Sequence, residues 1–157
     1  MSKLTHFDAR GRARMVDVSE KPETVREAVA SGSVSMKKTT LMMIRDGKMS
    51  KGDVLGVARV AGIMAAKKTS EIIPMCHPLN ITSVEVSFEY DEKGGRIQIE
   101  SKVKIRGMTG VEMEALTAVA AAALTIYDMC KSVDRRMIIS DILLLEKRGG
   151  KSGVFKR

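Results

Sequence analysis

The strongest constraint on this chain is a change of hydrophobic period in its second half. Val84, Val86, Phe88 and Tyr90 alternate with Glu85, Ser87 and Glu89. Ile97, Ile99, Val103 and Ile105 do the same against Gln98, Glu100, Lys102 and Lys104. Alternation of this kind belongs to strands covered on one face. The Asp91-Glu-Lys-Gly-Gly95 stretch between them reads as a turn, so an antiparallel hairpin is predicted. Residues 110–132 then form an Ala-rich segment, apolar almost all round, with Thr109 and Glu112 placed as a capping box at its start. A helix without a polar face is expected to be buried on several sides. Hairpin and helix together predict an α+β architecture, with helices packed on an antiparallel sheet.

The flanking segments fill in this outline. Residues 15–19 predict a short strand. Pro22 sits where a first helical residue is favoured, and Val25, Ala28 and Val29 follow at helical spacing, predicting a helix that Gly32 stops. Met36, Thr39, Thr40 and Met43 predict a second helix ending at Asp46-Gly47. Ser50 with Asp53 resembles a capping box for a third, carried by Val54, Leu55, Ala58, Ala61, Ile63 and Met64 to about Lys67. Residues 137–146 predict a final strand, and the Gly-rich, basic stretch 147–157 a mobile tail. With no internal repeat and no low-complexity linker, all 157 residues are expected to form one catalytic domain, about the usual domain size.

Composition narrows the function. Twenty-seven Lys and Arg against nineteen Asp and Glu give a net charge of +8, which implies a polyanionic partner. Single-strand nucleic-acid binders stack bases on aromatics interleaved with basic residues. The aromatics here are only Phe7, Phe88, Tyr90, Tyr127 and Phe155, and a phosphorylated small molecule competes with nucleic acid as the partner. The most apolar stretch, 118–126, is about half the length a membrane crossing needs. Residues 1–14 hold His6, Asp8 and three arginines and no apolar run, so no secretory signal is expected. Two cysteines, Cys76 and Cys130, make no disulfide framework, and a cytoplasmic protein with free thiols is expected.

Several residues could carry chemistry. Cys76 and His77 lie side by side in a loop framed by Pro74 and Pro78. As a metal site they lack a second Cys/His cluster, and as a nucleophilic pair they are adjacent residues that seldom point at each other. Asp128 and Lys131, at i and i+3 near the end of the apolar helix, are either a surface ion pair or charges put to use. Within so apolar a neighbourhood the expectation is a buried, functional pair with perturbed pKa values. The Gly107-Met-Thr-Gly110 loop opens into the helix, where Glu112 and Glu114 would repel a phosphate and suit a neutral, hydrogen-bonding group. Lys21, Arg26, Lys51, Lys67 and Lys68 at or near helix ends, and Lys147, Arg148 and Lys151 in the tail, are solvated charges unless they cluster around a polyphosphate. Gly149-Gly-Lys-Ser152 is not a P-loop, because the first glycine of that pattern would fall at Leu145.

Four blocks in order go further. They are Lys51-Gly-Asp-Val-Leu-Gly-Val-Ala-Arg59, Ile73-Pro-Met-Cys-His-Pro78, the stretch from Gly107 to Ala118, and Leu124-Thr-Ile-Tyr-Asp-Met-Cys-Lys131. Together they resemble the cyclic pyranopterin monophosphate synthase family of molybdenum-cofactor biosynthesis, over essentially residues 4–155. The resemblance implies a ferredoxin-like α+β sandwich assembled as a hexamer, a trimer of dimers with sites at the dimer interface. It implies an enzyme that converts a 3′,8-cyclised dihydroguanosine triphosphate, derived from GTP, into cyclic pyranopterin monophosphate and diphosphate. By position, Asp128, Lys51 and Lys131 would be catalytic. Met75, Cys76, His77, Glu112, Met113 and Glu114 would line the substrate, and Lys21, Arg26 and Lys67 would hold the triphosphate. No cofactor, metal, nucleic acid or membrane is implied.

Such chemistry suits acids and bases, and lysines with lowered pKa values at positions 51 and 131 would exchange protons near neutrality. Two readings compete: a basic nucleic-acid-binding module, and a nucleotide-binding regulator without turnover. Glu112 and Asp128, sixteen residues apart on one predicted helix, would be about 24 Å apart along its axis, so a shared ligand would need two chains.

Overall fold

The computed structural model describes residues 7–157; residues 1–6, with His6 and the first residues of the family resemblance, lie outside the described residues. The elements run β1 (Thr24–Ser35), α1 (Lys38–Arg45), α2 (Val54–Lys67), α3 (Thr69–Ile72), β2 (Ser83–Asp91), β3 (Arg96–Gly107), α4 (Glu112–Cys130), β4 (Ile138–Arg148) and β5 (Phe155–Lys156). The strands form one antiparallel sheet in the order β2-β3-β1-β4-β5. Its first four strands have the βαββαβ connectivity of a ferredoxin-like sandwich, an α+β fold.

The predicted hairpin is present, with Val84 opposite Val103 and Phe88 opposite Ile99. Its inward residues Val86, Ile97, Ile99, Val103 and Ile105 are buried, together with Ala115, Ala118, Val119, Ala122 and Ile126 of α4. α2 also forms as predicted, but Asp53 is its cap, accepting from the Gly56 N–H at 2.9 Å. α1 ends at Asp46 as expected, and its start is held by Asp134, which is buried and accepts from the Lys37 N–H and the Thr40 hydroxyl.

The segment predicted as a helix after Pro22 is instead β1, the central strand. Its helix-facing side carries Ala28, Ala30, Gly32 and Val34. A Cβ at Gly32 would come within 2.6 Å of Val119 Cγ1, so α4 lies against this strand and only small side chains fit beneath it. An alternation written in Ala, Gly and Ser carries little hydrophobic contrast, which leaves Val25, Ala28 and Val29 to suggest a helical period. Residues 15–18 have no regular secondary structure and Ser19 begins a turn, so the expected strand is absent there.

Three further expectations change at α4 and the tail. Thr109 and Glu112 make no capping box: Val111 is the N-cap residue, with no side-chain cap. The helix, long and apolar enough by composition to cross a bilayer, packs instead on β1, β3, β4 and α2. The sheet covers one side and α2 another, as expected of a helix with no polar face, while Met113 and Leu124 on a further side are exposed. The basic tail folds back: Gly149 and Gly150 take φ of 94° and 75°, and Phe155–Lys156 pairs with β4 as β5.

α2 and α4 lie antiparallel and close. A Cβ at Gly62 would sit 2.9 Å from the Ala118 carbonyl oxygen, and Lys51 reaches Asp128 at the opposite end. This alignment places Lys67 level with Met113. The far face of the sheet is polar, with Glu27 bridging Lys102 and Lys104 at 3.3 Å each.

Candidate active site

The site is built where three segments converge at the start of α4. The loop after α3 contributes Met75, Cys76, His77 and Leu79. The β3–α4 junction contributes Thr109, Gly110, Glu112, Met113 and Glu114, and the irregular segment before β1 contributes Val16, Val18 and Lys21. They enclose a cavity of about 350 Å³. All six residues expected to line the substrate are therefore brought together. Val16, Val18 and Leu79 are additions, and their aliphatic side chains carry no chemical signal in the sequence.

Glu114 is the unusual group here. It is only 3% exposed, and burial, with the charge of Glu112 adding to it, pushes its carboxyl up to about 7. Near neutrality it divides between the acid and the carboxylate, so it can donate to or accept from a bound ring. Cys76 is not activated: burial and Glu114 push its thiol above the usual range, which disfavours the thiolate. His77 does not pair with Cys76; its Nε2 lies 2.7 Å from the Val16 carbonyl oxygen.

Lys21 continues this cavity into a basic region. One adjoining cavity, about 230 Å³, is lined by Lys21, Arg26, Glu112, Lys147 and Arg148 among others. Another, about 470 Å³, is lined by Lys21, Thr24, Arg26, Lys151 and Ser152 with Pro22 and Gly150. The Thr24 hydroxyl is buried there without a partner among the described residues. Arg26 donates from Nε and Nη2 to the Gly107 and Met108 carbonyls, both at 2.9 Å, fastening the loop that enters α4. Lys147 lies 3.8 Å from Glu112. The Gly149-Gly150 turn folds onto this end, where a Cβ on either glycine would strike Val25 or Arg26. Lys67 is exposed at the end of α2, outside these linings.

Asp128, Lys51 and Lys131 form a separate cluster. Lys131 Nζ is 2.7 Å from Asp128 Oδ1, while Lys51 Nζ is 3.1 Å from Oδ2 and 3.0 Å from the Asp128 carbonyl oxygen. The cluster is not buried as expected, because Asp128 is 58% exposed and Lys131 53%. The apolar neighbours on its helix point inward while Asp128 points out. Hydrogen bonds from Lys131 and then Lys51 hold the Asp128 carboxyl below the usual range. The Asp128 hydrogen bond raises Lys131, opposite to the lowering expected for a proton-exchanging lysine.

Glu112 and Asp128 both lie on α4, sixteen residues or about 24 Å apart, so a single chain does not unite the two clusters. Among the described residues, no three carboxylate, imidazole or thiol groups converge as a metal site would require.

Comparison with known proteins identifies the family. The MoaC family profile matches residues 15–150. A protein of Heliobacterium modesticaldum named cyclic pyranopterin monophosphate synthase is 62% identical over 157 residues, 100% of this chain and 99% of that protein. Proteins of the same name from Thermoanaerobacter pseudethanolicus, 63% identical over 98% of each chain, and Desulfitobacterium hafniense, 64% identical over 99% of this chain and 94% of its own, match equally well. Similarity of this extent, spanning both clusters and the elements that hold them, makes this chain a member of the MoaC family.

Proposed function

We propose that this chain catalyses the reaction for which those relatives are named, as a phosphorus–oxygen lyase of molybdenum-cofactor biosynthesis in the cytoplasm. The substrate is the 3′,8-cyclised dihydroguanosine triphosphate, and the products are cyclic pyranopterin monophosphate and diphosphate. The observation that carries this reading is the continuity between a cavity lined by two carboxyl groups and a strongly basic region, which share Lys21, Thr109, Gly110 and Glu112. A purine-derived ring with a triphosphate has the same polarity. Glu112 and Glu114 suit its ring N–H groups, with Met75, Met113 and Cys76 along its faces. Lys21 and Arg26 bear the triphosphate, with Lys147 added by its position beside Glu112, and the exposed Lys67, outside these linings, reaches it from the end of α2.

The chemistry consists of ring openings, ring closures and proton transfers. In the last step a hydroxyl attacks the innermost phosphorus, loses its proton and displaces diphosphate, so one P–O bond forms and one breaks. Asp128 is ionised and Lys131 protonated in their pair, which suits Lys131 as an acid and charge stabiliser rather than a base. Lys51 is the third member of this catalytic set.

The catalytic set meets the substrate if a second copy supplies it. Val57, Val60 and Met64 of α2 and Met113 and Leu124 of α4 are exposed on one chain. Met113 and Leu124, eleven residues apart, lie within about 20° of one another around the helix. An apolar patch of this kind favours association. Dimers across it, gathered three to a hexamer, would set Asp128, Lys51 and Lys131 of one chain against the cavity of another.

The test is incubation with the cyclised nucleotide, monitoring diphosphate and a cyclic pterin phosphate, with GTP as the control. Both products should appear with the cyclised nucleotide alone. Tight binding without diphosphate release would make the protein a nucleotide-binding regulator. Affinity for nucleic acid that falls steeply with salt, without turnover, would favour the basic-module reading.

A further inference from the structure

His77 is the only histidine among the described residues, and its ring is oriented by one contact, Nε2 to the Val16 carbonyl oxygen at 2.7 Å. A backbone carbonyl can only accept, so Nε2 must carry the hydrogen. In the neutral imidazole Nδ1 is then the bare nitrogen, an acceptor. Nε2 is the only ring nitrogen with a hydrogen-bond partner among the described residues. The ring lines the cavity beside Glu114 and Cys76.

The partner of that bond is equally telling. Residues 14–18 have no regular secondary structure, yet Val16 and Val18 form a wall of the cavity. Around them, Asp17 accepts from Ser19, and the adjacent Lys21 N–H donates to the Val18 carbonyl, both local contacts. Among the described residues, the His77 bond is the one hydrogen bond tying residues 14–20 to any part of the molecule beyond the adjacent Lys21.

We propose that His77 transfers protons through Nδ1, and that residues 14–20 are a positioning strap whose Val16 carbonyl selects this tautomer and closes the cavity. The Nδ1 lone pair takes a proton from an N–H or O–H of the bound ring. The imidazole becomes an imidazolium with hydrogen on both nitrogens, and the ligand is left one charge more negative. Return of the same proton restores both. The Val16 carbonyl dipole stabilises the imidazolium without accepting a proton, as a carboxylate orienter does in other acid–base pairs. The identity of the ligand rests on the proposed function; the tautomer and the strap do not.

The experiment uses the full chain labelled with ¹⁵N-histidine, the His77 signal being assigned by its loss in His77→Ala. In the neutral ring, the Nε2–H tautomer should dominate. A dominant Nδ1–H form would overturn the assignment. Limited trypsin digestion at Arg14 reads the strap directly. His77→Gln keeps an N–H near the Nε2 position, whereas His77→Asn and His77→Ala do not. Cleavage should stay at the wild-type rate in His77→Gln and rise at least about tenfold in the other two, as expected when a local opening is no longer opposed by its only bond. Equal cleavage in all four proteins would remove the strap. With the cyclised nucleotide, His77→Gln should keep KM within about threefold while kcat falls about 100-fold or more. Undiminished kcat would end the proton-transfer role. Should wild-type protein turn over no cyclised nucleotide, the functional reading fails, while the tautomer and the digestion still judge the strap.

Discussion

At the scale of single residues, Asp128 holds the charge balance of its cluster, since both nearby ammonium groups point at its two oxygens. Asp128→Asn keeps the shape and removes the charge. Because the side chain is more than half exposed, the melting temperature should stay close to wild type while kcat falls by about 100-fold or more. Steady-state kinetics beside a thermal melt decide it, and near-wild-type kcat in the folded variant would reduce Asp128 to a structural ion pair. Glu114 makes a different prediction, on stability. Its folded pKa, about 7, lies above the 4.5 of an unperturbed glutamate. The unfolded chain therefore loses this proton first, and the folded state is progressively disfavoured as pH rises through that interval. Glu114→Gln never ionises. The melting temperature of the variant minus that of wild type should grow from pH 5 to pH 8, and a difference constant with pH would mean that Glu114 is ionised throughout.

Among elements, the contact of α2 with α4 shows how packing overrides propensity. Replacing a helical glycine by alanine ordinarily stabilises by about 1 kcal/mol. At Gly62 the added methyl would meet a backbone oxygen at 2.9 Å and Val86 Cγ2 at 3.2 Å, neither of which can move far while the helices stay on the sheet. Gly62→Ala should therefore destabilise, by about 1–3 kcal/mol, measured as a lower denaturation midpoint. A gain in stability would show that α2 is free to shift. The β4–β5 turn gives a functional counterpart. Gly149 takes φ of 94° against the Val25 carbonyl, so Gly149→Ala should open the turn and draw Lys147 and Lys151 from the basic region. The expected outcome is a KM raised about tenfold together with a lowered melting temperature, and an unchanged KM in the folded variant would leave this hairpin outside the phosphate site.

For the whole molecule, the separation of Glu112 from Asp128 sets the question. If each active site draws on two chains, inactive Glu112→Ala and inactive Asp128→Ala proteins should complement one another. In a mixed dimer both defects fall in one site and the other site is wild type, so about a quarter of wild-type activity should appear once subunits randomise. No recovery after subunit exchange has been demonstrated by mass would exclude the two-chain site.

Local patterns in the sequence determined the hairpin, α2, α4 and β4, because alternation, helical spacing and a turn such as Asp91–Gly95 are properties of neighbours along the chain. The lining of the cavity was legible too, but through four family-like blocks rather than through chemistry visible in any one residue. Tertiary structure alone decided the rest. β1 is a strand because α4 lies across it, and the small residues that this contact demands erase the hydrophobic contrast that announces a strand. The apolar neighbours of Asp128 suggested burial, yet the direction of α4 on the sheet turns that carboxylate outward to meet Lys51, seventy-seven residues away in sequence. The bond from His77 to Val16 joins residues sixty-one positions apart through a backbone oxygen, which no side-chain pattern encodes.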